Sequence, residues 1–129
     1  MGADQIAEMT RSIAKVYEGV TTEGAPTLLC TFESTTPSGS QMWIQVLPGN
    51  VNMAYPFTEE PLELLRQRGV RSPPDLYLVE WVAGEYAAFG FSDIAAREHA
   101  SFVDQLFVKV LGCDDGSYNF TTTMESVNS

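Results

Sequence analysis

The sequence predicts an α+β fold in the order α-β-β-β-α-β-β-α. Apolar residues recur at helical spacing near both ends of the chain. They alternate with period two in several short runs between those ends. Turn residues punctuate the runs. The 129 residues make one domain's worth of chain, residues 1–129 as a single unit.

Residues 4–20 read as an amphipathic helix, with Ile6, Met9, Ile13, Val16, Tyr17 and Val20 on one stripe. Gly19, Gly24 and Pro26 stop it. Residues 27–34 form the first strand, around Leu28, Leu29, Cys30 and Phe32. A break rich in Thr, Ser, Pro and Gly follows at 35–40. Residues 41–47 alternate, setting Met42, Ile44 and Val46 against Trp43, Gln45 and Leu47. Pro48-Gly49-Asn50 turns the chain, and 51–55 places Val51, Met53 and Tyr55 on one side. The three runs read as a meander.

Thr58 is the expected N-cap of a second helix, with Pro61 tolerated in its first turn and Gly69 at its end. In the fourth strand, 76–82, strict alternation puts Leu76, Leu78, Glu80 and Val82 on one face and Tyr77, Val79 and Trp81 on the other. Ala83-Gly84 is a tight turn. The fifth strand, 85–91, sets Tyr86, Ala88 and Gly90 against Ala87, Phe89 and Phe91. Ser92 or Asp93 caps a third helix, apolar at Ala95, Phe102, Val103, Leu106, Phe107 and Val110 and ending at Gly112. The tail 118–124 alternates and reads either as a sixth, edge strand or as a frayed terminus.

Seventeen acidic residues against seven Lys and Arg give a formal charge of -10. That opposes non-specific nucleic-acid binding, which needs cations to release counterions from phosphates. It also opposes docking on an anionic membrane. Cys30 and Cys113 are far apart and read as free thiols. His99 is the only histidine, so no zinc set can form around it, and no cofactor is expected. Residues 1–8 carry Asp4 and Glu8 where a secretory signal would carry cations, so a cytoplasmic location is expected. The glycosylation triplet Asn119-Phe120-Thr121 would matter only in a secreted chain.

Glu80 and Glu85 flank one turn and could make a carboxylate dyad, yet the open face of a half-buried sheet normally carries such charges. His99 is the obvious general base at neutral pH, but no motif fixes a nucleophile beside it, and a surface or partner-facing histidine is the plainer expectation. Asp114-Asp115-Gly116-Ser117 lacks the alternating ligands of a calcium loop and reads as a turn. No catalytic residue is expected, and the chain reads as a non-enzyme.

The aromatic residues are more informative. Trp43, Tyr55, Phe57, Tyr77, Trp81, Tyr86 and Phe89 concentrate in or beside the predicted strands. They are either core or, on a sheet face that helices leave open, a partner-binding surface.

The element order, the size and the acidity resemble the class I type III secretion chaperones and their wider superfamily of YbjN-like and TY-chaperone-type bacterial domains. The stretch Trp43-Ile44-Gln45-Val46-Leu47-Pro48-Gly49, then Ala54-Tyr55-Pro56-Phe57, is the nearest thing to a motif. The resemblance covers residues 4–112. It implies a twisted antiparallel sheet with its helices mainly on one face, in a homodimer that holds an extended segment of another protein on apolar patches, without covalent chemistry. A tail strand after Gly112 would depart from the simplest pattern and could cover a sheet edge. Rival readings are an acidic immunity- or inhibitor-type protein steered to a basic partner, and a small-molecule binder or enzyme in which Glu80, Glu85 and His99 converge.

Overall fold

The computed structural model describes residues 3–21, 27–113 and 118–127. The elements are α1 (Ala3–Thr21), β1 (Thr27–Thr35), β2 (Gln41–Leu47), β3 (Asn50–Ala54), α2 (Pro61–Gln67), β4 (Tyr77–Val82), β5 (Tyr86–Gly90), α3 (Ala96–Gln105) and β6 (Phe120–Val127). The fold is α+β in the expected order, and the tail does add a strand. All strand pairs are antiparallel, in the order β4-β5-β3-β2-β1-β6. The stop at Gly24 and Pro26, the side chain of Val20 and the turn Asp114-Asp115-Gly116-Ser117 lie outside the described residues.

The period-two pattern decides which side chains meet the helices. Cys30 and Phe32 of β1 stand opposite Val46 and Ile44 of β2, which stand opposite Val51 and Met53 of β3. Those in turn face Phe89 and Ala87 of β5. All eight are buried. From α1, Met9, Ile13 and Val16 are fully buried one helical turn apart, and α1 packs on β1 and against α3. Burying each large side chain contributes about 1.5–3 kcal/mol, so this layer holds sheet and helices together.

The structure differs from the sequence reading at three local points. In β4, Val79 is an extra residue, a β-bulge between the pairs Leu78↔Phe89 and Glu80↔Ala88. The faces are therefore Leu78 and Trp81 toward the helices, and Tyr77, Glu80 and Val82 away, not the strict alternation expected. The N-cap of α2 is Glu60 rather than Thr58. A residue before proline is pushed out of the helical region; Glu60 has φ −59° and ψ 128°, and its carboxylate accepts the Leu62 N–H at 2.6 Å. Helix α3 begins at Ala96, not beside Ser92 or Asp93. The Ser92 hydroxyl is spent on the Asp75 carboxylate at 2.5 Å, and its N–H on the Pro74 carbonyl.

Helix α3 runs on into a π-helical turn, Leu106–Val110. It closes at Gly112, whose φ of 84° suits a residue without Cβ. Strand β6 is fastened from both sides. Ser34 donates to the Asn119 carbonyl at 2.7 Å, Gln5 of α1 donates to the Tyr118 carbonyl at 3.1 Å, and Tyr118 donates to the buried Asp104 carboxylate at 2.6 Å.

Candidate functional site

The register lays the face away from the helices out in rows. The middle row runs Thr123, Thr31, Gln45, Asn52, Ala88, Glu80 across all six strands. It is polar or small throughout, and Asn52 donates to the Gln45 amide oxygen at 3.3 Å. On one side lie Trp43, opposite Glu33, and Tyr86, opposite Val82. On the other lie Leu47, opposite Asn50, then Gly90 opposite Tyr77. Trp43, Leu47, Tyr86 and Leu29 are half-buried. No described helix packs over this face.

The seven aromatic residues expected to bind a partner separate into three groups. Phe89 is fully buried, edge-on to Phe102 at 6.5 Å, and is core. Tyr55, also fully buried, sits among Phe57 at 5.3 Å and Trp81 at 5.9 Å, both edge-on. This cluster lies under α2, where the Tyr55 hydroxyl donates to the Glu59 carbonyl and the Arg68 guanidinium lies 5.7 Å from the Phe57 ring centre. Burial pushes the Tyr55 hydroxyl up to about 12, helped by Glu59 and Glu60. The third group, Trp43, Tyr77 and Tyr86, shares the open face.

Edge strand β4 is the most exposed part of that face. Among the described residues the exposed large hydrophobic side chains are Tyr77 (56%), Val79 (52%) and Val82 (38%), all on β4. The Tyr77 ring lies over Gly90, where a Cβ would run into it, so the glycine gives the ring its seat. Glu80 accepts a short hydrogen bond from the Tyr86 hydroxyl. That bond raises the Tyr86 pKa first, followed by partial desolvation and the charges of Glu80 and Glu85. Val79 and Val82 were not singled out as site residues, because alternation alone does not reveal a bulge.

Glu80, Glu85 and His99 do not converge. The two carboxylates are exposed, whereas His99 is fully buried between α1 and the sheet. Its Nδ1 meets the Tyr17 hydroxyl at 2.8 Å, and Phe91 stands edge-on at 5.0 Å. Burial pulls the imidazole down to about 4. The Asn50 backbone pulls weakly the other way, but no contact to Nε2 meets hydrogen-bond geometry. A surface or partner-facing histidine was the expectation; the ring is core, because its neighbours on α3 at helical spacing, Phe102 and Val103, are core too.

Cys30 and Cys113 are buried and outside any disulfide, and burial pushes the Cys30 thiol up to about 12. A cleft of about 500 Å³ lies elsewhere, at the β1–β6 end, lined by Ser34, Thr36, Gln41, Tyr118 and Phe120 among others. None of the seven aromatic residues lines it. Among the described residues no cluster of His, Cys, Asp or Glu could hold a metal, and no helix is long and apolar enough to cross a membrane. No family model, curated protein or solved structure matches the chain.

Proposed function

We propose that the chain is a non-catalytic protein-binding module of the secretion-chaperone type, holding an extended segment of another protein on the open sheet face. The observation that carries this reading is the concentration of exposed apolar side chains on β4, continuous with Trp43 and Tyr86 on a face that no described helix covers. Apolar anchors of this kind mark interaction surfaces, and a charge of -10 keeps a complex soluble. An inhibitor of a basic partner would draw on one acidic patch. Here the carboxylates are spread, with Asp4 and Glu8 on α1, Glu33 on β1, Glu63 on α2, Glu98 on α3 and Glu125 on β6.

The test is titration of the isotope-labelled protein with an unfolded polypeptide, reduced and carbamidomethylated lysozyme, and with the same lysozyme folded. The unfolded chain should bind, and the Trp43 indole N–H signal should move. Trp43→Ala combined with Tyr77→Ala should weaken binding about tenfold. Binding by neither form, or shifts confined to α1, would overturn the reading. Solution mass at low and high salt measures the homodimer that the resemblance implies.

A further inference from the structure

We propose that β4 accepts a positively charged, alternately apolar segment of another protein as a seventh strand, with a Lys or Arg of that segment seated against Glu80. The proposal rests on the protein-binding reading above and adds the place, the mode and the chemistry of the partner.

Four observations meet at this edge. Strand β4 pairs only with β5, and no described backbone bond joins residues 77–81 to any other segment. Its outer rim therefore offers the N–H and C=O groups that an added strand uses. Four of its six residues are exposed. The two faces beside the rim differ in chemistry. On the helix side, Leu78 and Trp81 are half-buried against the core, so apolar side chains of an added strand would extend it. On the open side, Glu80 stands between Tyr77 and Val82, held by the Tyr86 hydroxyl. A Lys or Arg there lays its aliphatic stem along Tyr77 or Val82 and brings its charge to the carboxylate. Among the described residues Glu80 has no ion-pair partner.

Charge also selects against a second copy. Two β4 strands paired about a two-fold axis bring Glu80 toward its own counterpart, within two molecules of charge -10 each. The Val79 bulge interrupts the rim, so it suits a short added strand better than an extending sheet.

The experiment uses three ten-residue peptides: lysine alternating with valine, glutamate alternating with valine, and lysine alternating with proline. The last keeps the charge of the first but loses every second backbone donor and is held near polyproline geometry, which fits an added strand poorly. The lysine–valine peptide should slow amide exchange within residues 77–82 and bind at least tenfold more tightly than the other two. Glu80→Lys should reverse the preference toward the glutamate peptide, and Tyr86→Phe should weaken lysine–valine binding with little change in fold. Equal binding of the lysine–proline peptide, protection at β6 instead of β4, or self-association through 77–82 overturns the proposal. If unfolded lysozyme still moves the Trp43 signal in that event, the broader reading survives. If it does not, both fall.

Discussion

His99 shows how burial converts one residue into a pH term. Its unfolded value is near 6.5 and its folded value near 4. Above pH 6.5 both states hold the ring neutral, and its contribution is complete. As pH falls from there toward 4 the unfolded chain takes up the proton first, so stability drops, by about 3 kcal/mol at the lower end. His99→Gln should flatten this dependence. Urea midpoints at pH 7.5, 6 and 4.5 measure it, and equal slopes for the two proteins would refute the assignment. The partner in this contact, Tyr17, is pushed up to about 12 by burial, with Asp93 and Glu98 adding to the effect. It therefore stays a neutral phenol throughout that range.

Among the described α-helices, α2 is the shortest at seven residues, and it depends on its cap. Glu60→Ala removes the acceptor of the Leu62 N–H and should cost about 1 kcal/mol. Hydrogen exchange should then quicken at Leu62 and Glu63 before it quickens in β3; no change would mean that Pro61 alone starts the helix. The same helix shows what the sequence could convey. Wherever a run repeats cleanly, element and facing were legible: Met9, Ile13 and Val16 in α1, Ile44 and Val46 in β2, Ala87 and Phe89 in β5. Where one residue serves two demands, they were not. Ser92 resembles a cap but ties down the segment before β4. Thr58 also resembles a cap, yet Pro61 dictates where the helix begins. In the candidate site, the open-face position of Trp43 and Tyr86 follows from alternation, whereas the split between Tyr55 and Tyr77 depends on where α2 folds back, which no local pattern encodes.

For the molecule as a whole, charge dominates. With 17 acidic and 7 basic residues, and one ion pair among the described residues, Arg66 with Glu63, the folded state carries net self-repulsion. Raising salt from about 0.02 to about 0.5 M should screen it and raise the melting temperature by about 4 °C, equivalent to about 1 kcal/mol. A fall in calorimetry would mean that attractive pairs outweigh the repulsion. The bulge at Val79 has a consequence at the same scale. Remove that one residue, and Tyr77, Leu78, Glu80, Trp81 and Val82 fall into plain out-in-out-in-out order, each still on the side it occupies now. Deleting it should shorten the chain by one link without turning any layer over. The deletion should keep its stability within about 1 kcal/mol of the parent, and what it straightens is the rim that faces solvent.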